Sequence, residues 1–131
     1  MIPQIIELGS IGTDQYGFIT VAQVNDLVPF EIKRVYWTYN TPPEVIRGHH
    51  AHKHLYQLII AVRGKVTFRM EDTDGQKHEF RLERPSQGLF IPPGFWRTIE
   101  LSEDAILISL ASAEYNEDDY IRDYETFKKG K

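Results

Sequence analysis

The chain has no cysteine, which excludes a disulfide framework and any thiolate-held metal or iron–sulfur centre. No apolar run approaches the roughly 20 residues a membrane-spanning helix needs. The opening Met1-Ile2-Pro3-Gln4 lacks the basic and apolar regions of a signal peptide, so a cytoplasmic protein is expected. Positive charge is not in excess: 15 Lys and Arg stand against 19 Asp and Glu, a net charge of −4. That balance argues against nucleic acid or an anionic membrane as the main partner, while leaving room for a local basic pocket. Repeats, low-complexity tracts and linkers are also missing, so residues 1–131 are read as a single domain.

What is present is a series of short strand signals divided by turns. Ile2 to Leu8 reads as a first strand, and Gly12 to Gly17 as a turn leading into a second, Phe18 to Gln23, the two forming an early hairpin. Phe30 to Tyr39 alternates, with Ile32, Arg34, Tyr36 and Thr38 on one face and Lys33, Val35, Trp37 and Tyr39 on the other. The Arg34 and Tyr36 face is either an exposed sheet surface or a lumen surface suited to an anion. Lys65 to Met70 and His78 to Leu82 flank an Asp74-Gly75 turn. Short strands follow at Gly88 to Ile91, Trp96 to Leu101 and Ala105 to Ala111. Turns every 8 to 12 residues or so are the rhythm of an all-β sandwich or barrel. Trp37, Tyr39, Phe68, Phe90, Phe95 and Trp96 are first expected in its core, and His78 is expected to be solvated. Near the C-terminus Tyr120, Tyr124 and Phe127 recur at helical spacing, predicting a short helix packed on the sheets.

Chemistry concentrates at Arg47-Gly48-His49-His50-Ala51-His52-Lys53-His54, where four of the five histidines fall within six residues. The apolar run Leu55 to Val62 follows, reading as a buried strand that ends at Gly64. On a strand, His50 and His52 share a side, opposite His49, Ala51 and Lys53. Two imidazoles on one face make either half of a metal site or a proton-transfer pair.

The spacing His50-x-His52, Gln57, Gly64, with Pro92-Pro93-Gly94-Phe95-Trp96-Arg97 downstream, resembles the two cupin motifs. It implies an all-β cupin, a double-stranded β-helix or jelly-roll barrel, here with a short C-terminal helix. Two of the four metal-ligand positions differ from the pattern. Gln57 offers only a neutral carbonyl and Arg97 a permanent cation without a lone pair, so no metal is expected there.

Four stretches together resemble the sugar-nucleotide 3,4-ketoisomerases, metal-free cupins acting on dTDP-4-keto-6-deoxyglucose. They are Pro29 to Tyr36, Arg47 to Lys53, Gln87-Gly88-Leu89 and Tyr115 to Arg122. The resemblance implies a homodimer, a dTDP-linked 4-keto-6-deoxy sugar as partner and no cofactor. It also implies a product with its ketone at C3, a precursor of a 3-amino-3,6-dideoxyhexose. Moving a carbonyl from C4 to C3 removes the C3 proton, passes through an enediol or enediolate and returns a proton to C4. Imidazole, with an ordinary pKa near 6.5, suits both halves. His50 and His52 are therefore the expected catalytic pair, with Arg97 stabilising the oxyanion. Arg34, Tyr36, Arg47 and Lys53 are candidates for the diphosphate, Lys53 reading equally as a surface lysine. Gln57 would orient a histidine or bond the sugar, and His49 and His54 are expected to be structural or exposed. Tyr16 is either a proton donor from the far face of the sugar, favouring the gluco product, or a turn tyrosine packed on the rim. The alternatives are a 3,5-epimerase-like cupin, a non-catalytic nucleotide-sugar-binding cupin and, disfavoured by Arg97, a metal-dependent oxygenase.

Overall fold

The structure is a computed structural model, and it describes residues 1–130. Its strands are β1 (Gln4–Glu7), β2 (Ile11–Thr13), β3 (Gly17–Ile19), β4 (Arg34–Thr38), β5 (Ile46–His52), β6 (Gln57–Arg63), β7 (Val66–Glu71), β8 (Lys77–Leu82), β9 (Gln87–Ile91), β10 (Trp96–Leu101), β11 (Ile106–Ala111) and β12 (Tyr120–Ile121), with one α-helix, α1 (Tyr124–Lys129). Two five-stranded sheets, ordered β1-β9-β6-β11-β4 and β12-β5-β10-β7-β8, stack as a jelly roll. Their strand pairs are all antiparallel. The sheets lie face to face and do not close into a continuous barrel. Among the described residues no helix is long and apolar enough to cross a membrane.

The continuous apolar run of β6 is explained by burial on both faces. Ile59 and Ala61 point into the core between the sheets, with Leu89, Ile91 and Leu107 from their own sheet and Val66, Phe68, Met70, Leu82 and Leu101 from the other. Leu58 and Ile60 point outward, packing with Val28, Phe90 and Leu110 beneath Ala22, Phe30 and Ile32. Each such side chain contributes about 1.5–3 kcal/mol on burial. The two layers hold β6 rigidly, and with it Gln57 at its start.

Several expectations are corrected. β1 does not pair with the second strand; it joins β9, Gln4 opposite Phe90, so that Ile5 and Ile6 reach the two apolar layers. The early hairpin is instead β2 with β3, a separate two-stranded sheet. Trp37 and Tyr39 are not core, being 61% and 58% exposed: β4 is the sheet's edge strand and its alternation turns them outward. His78 is not solvated but half-buried beside Phe80 and Phe95. Tyr120 belongs to a strand rather than a helix, because its backbone pairs with His52. The helix starts only after Asp123, whose carboxylate caps the Thr126 N–H at 2.9 Å, and it docks through the buried Phe127, 5.8 Å from the Trp96 ring.

Candidate active site

The histidine strand is shaped by a bulge. In the pairing of β5 with β10, Arg97 faces His50 but the next residue, Thr98, faces Gly48, leaving His49 as the extra residue. Gly48 and His49 both have positive φ, +92° and +59°. A Cβ on Gly48 would stand 2.8 Å from the Arg97 carbonyl oxygen, so this position takes only glycine without a backbone shift. The His49 ring folds back to the Ile46 carbonyl at 2.9 Å and is exposed. His50 and His52 keep a common side, their rings 4.9 Å apart and edge-on, with Tyr120 packed against both at 5.0 and 4.4 Å.

Between the sheets, below this bulge, lies a cavity of about 550 Å³, a size usual for a small-molecule site. His50, Gln57, Arg97, Tyr36, Arg34, Arg47 and Arg122 are among its lining residues, and the lining contains four arginines and no carboxylate. It is therefore a strongly positive pocket in a chain of net negative charge, suited to an anionic ligand.

A hydrogen-bond chain sets its polarity. Arg97 Nη1 donates to Gln57 Oε1, and Gln57 Nε2 donates to Tyr36 Oη at 2.8 Å. With its oxygen already accepting, Tyr36 keeps its own O–H free to donate. Arg97 also donates to the Phe95 carbonyl at 3.3 Å, while its Nε is buried without a partner. An acid at position 57 would neutralise this guanidinium, whereas glutamine satisfies it and leaves the charge available to the cavity. Burial lowers Arg97 to about 10, so it remains a cation at neutral pH.

His50 Nδ1 lies 3.1 Å from the Gly48 carbonyl, to which it must donate, so that Nε2 carries the lone pair. Burial first, then Arg97, lowers His50 to about 4. The same two causes lower His52, whose Nδ1 lies 3.0 Å from the Asp119 carboxylate. Both rings are neutral at pH 7. The unfolded chain, with histidine near 6.5, takes up a proton at higher pH than the folded chain does. Stability is thus lost as pH falls from about 6.5 towards 4. Melting temperatures across that window should fall less in His50→Asn than in the parent; parallel curves would exclude the lowered histidine.

The structure brings Arg34, Tyr36, Arg47, His50, Gln57 and Arg97 to one cavity. His52 adjoins it, lining a neighbouring hollow of about 370 Å³ together with Lys53 and His54. Lys53 lines this second hollow and not the main cavity. Gln57 orients Arg97 and Tyr36, not a histidine. Tyr16 lies at the tip of the β2–β3 hairpin, 84% exposed, outside its own chain's cavity. Sequence reasoning passed over Arg122, Tyr120 and Asp119, although the matched stretch Tyr115 to Arg122 contained all three. Arg122 lies 4.1 Å from the Tyr120 ring centroid, held by Glu117 at 2.6 and 2.9 Å.

Comparison with known proteins gives the chain its family. A family model described as FdtA, WxcM-like, C-terminal, matches residues 1–131. A TDP-4-oxo-6-deoxy-α-D-glucose-3,4-oxoisomerase of Aneurinibacillus thermoaerophilus is 38% identical over 117 residues, 88% of this chain and 84% of that protein. The crystal structure of QdtA, a sugar 3,4-ketoisomerase of Thermoanaerobacterium thermosaccharolyticum in complex with TDP, superposes with a TM-score of 0.91 at 36% identity, covering 97% of this chain and 92% of that one. A TDP-quinovose 3,4-ketoisomerase of Campylobacter jejuni gives 0.91 at 37% identity, covering 98% of each chain.

Proposed function

Because the chain belongs to the FdtA family of 3,4-ketoisomerases along its whole length, we propose that it converts TDP-4-keto-6-deoxyglucose to its 3-keto isomer by histidine-mediated proton transfer. The protein is an isomerase. The observation that carries it is the juxtaposition, in one carboxylate-free cavity, of a neutral imidazole with a free Nε2, a buried guanidinium and three further arginines. The outer arginines suit the diphosphate. His50 takes the C3 proton, and the oxyanion left on the enediolate is stabilised by Arg97 and by the Tyr36 O–H. The hydroxyl proton on O3 passes to O4 within the enediolate, and a proton returned to C4 leaves the ketone at C3 and a hydroxyl at C4, with no change in overall oxidation state. The imidazole is in its proton-accepting form at neutral pH, and the negative charge of the bound diphosphate raises a basicity that burial and Arg97 lower in the free protein. The C3 ketone is the functional group an aminotransferase would next consume.

The product proposed is the gluco epimer, in keeping with the likeness to a TDP-quinovose isomerase. Its C4 hydrogen lies on the face opposite the departing C3 hydrogen, so a donor across the ring is required. Tyr16 can take that part only in another subunit's cavity, since it does not reach its own. The homodimer proposed to supply it would bury the outward Ile11, Phe18 and Trp37. Light scattering should return twice the 15.3 kDa chain mass; a monomer removes Tyr16 from the reaction.

Incubation with TDP-4-keto-6-deoxyglucose, followed by proton NMR, tests the reading. The ketone should move to C3 at the same rate before and after dialysis against a strong chelator, because Gln57 and Arg97 occupy positions a metal would need. A ketone that stays at C4 while C3 or C5 inverts would indicate epimerisation, and activity restored only by one divalent ion would defeat the metal-free route.

A further inference from the structure

Asp119 reaches His52 from a part of the chain 67 residues away, and each of its own polar groups is engaged. Its Oδ2 lies 3.0 Å from His52 Nδ1, and its Oδ1 accepts the His54 N–H at 2.7 Å. Its backbone carbonyl accepts the Lys53 N–H at 2.9 Å, and its own N–H donates to the Asn116 carbonyl at 3.1 Å. The adjoining Tyr120 pairs with His52 across β12 and β5. The carboxylate is thus fixed against a ring that is 1% exposed. On the far side of that ring, His52 Nε2 is buried with no partner among the described residues.

A neutral imidazole has one N–H and one lone pair, and an ionised carboxylate only accepts. We propose that Asp119 is a positioning residue that holds His52 as the Nδ1–H tautomer, reserving its unpartnered Nε2 lone pair for proton transfer beside His50. The inference rests on the isomerase reading for its purpose, though not for its geometry.

The sharpest perturbation is Asp119→Asn. The His54 backbone N–H needs an oxygen, so the amide carbonyl turns to it and the NH₂ turns to His52 Nδ1. Nδ1 must then accept, the ring proton moves to Nε2, and the lone pair is lost where it is needed. Turnover of TDP-4-keto-6-deoxyglucose should fall about 10²–10⁴-fold with KM nearly unchanged. Nitrogen-15 NMR of the histidine rings reads the tautomer directly. The parent should show His52 protonated on Nδ1 and bare on Nε2, and Asp119→Asn the reverse. A parent His52 protonated on Nε2 would overturn the proposal whether or not the variant folds, as would a variant whose rate is within threefold of the parent. A parent with no activity on the sugar nucleotide but with the expected tautomer would defeat the isomerase reading and the purpose assigned to Asp119, leaving the positioning itself in place.

Discussion

Replacing His50 with asparagine is expected to lower turnover of TDP-4-keto-6-deoxyglucose by about 10²–10⁴-fold, the usual contribution of a general acid–base. TDP is expected to raise the melting temperatures of parent and variant alike. Asparagine fills much of the imidazole's volume and can still donate to the Gly48 carbonyl, but it carries no basic nitrogen into the cavity. Nucleotide binding should survive because the positive lining comes from Arg34, Arg47 and Arg97, not from the ring. His52→Asn should be comparably severe. His49→Asn should be mild: that ring is turned back on the Ile46 carbonyl by the bulge and stands in solvent. A rate for His50→Asn within tenfold of the parent excludes it as proton carrier, and equal losses at His49 and His52 would contradict the bulged register.

Arg97→Met should cost a further distinct kind of activity, about 10²–10³-fold in kcat, the scale for removing one preorganised oxyanion contact. The fold should survive. A buried cation exchanged for an apolar chain of similar volume is often neutral or stabilising, although Gln57 Oε1 loses its donor, at a cost of about 1–3 kcal/mol. Arg97→His combined with Tyr16→Phe carries a stereochemical readout. The gluco product has an axial C4 hydrogen with a large coupling to C5, and the galacto product a small one; a changed ratio is expected. An unaltered ratio would clear both residues of that role, and an Arg97→Met rate near the parent's would remove the oxyanion assignment.

The parts of this fold that repeat along the chain were legible in it. The alternation of Arg34, Tyr36 and Thr38 against Val35 and Trp37 is seen in β4, and the uninterrupted Leu58 to Ala61 run is buried on both faces. What alternation does not encode is where a strand sits in its sheet. Trp37 and Tyr39 look like core residues until β4 proves to be an edge. Nor does it encode a bulge: Gly48-His49 breaks the period, and only the approach of the Arg97 carbonyl makes the glycine intelligible. Within the cavity, Arg34, Tyr36, Arg47, His50, Gln57 and Arg97 could be picked out by residue type and motif spacing. Arg122 on its wall and Asp119 behind His52 could not, because they flank β12, a two-residue strand read as part of a helix from the spacing of Tyr120, Tyr124 and Phe127. Their roles come from long-range pairing with β5, information that no local period carries.

The central claim is that the C3 hydrogen leaves as a proton to a histidine nitrogen and that C4 receives a proton from a donor in exchange with solvent. Its most direct measurement is the reaction of TDP-4-keto-6-deoxyglucose in deuterium oxide, stopped at partial conversion and followed by proton NMR. The account predicts a 3-keto product carrying solvent deuterium at C4, with a lesser amount at C3 of the recovered substrate. It also predicts that His50→Asn suppresses both. A 3-keto product whose C4 hydrogen is wholly the one that left C3, undiluted by solvent, would point to a direct hydride shift and contradict it.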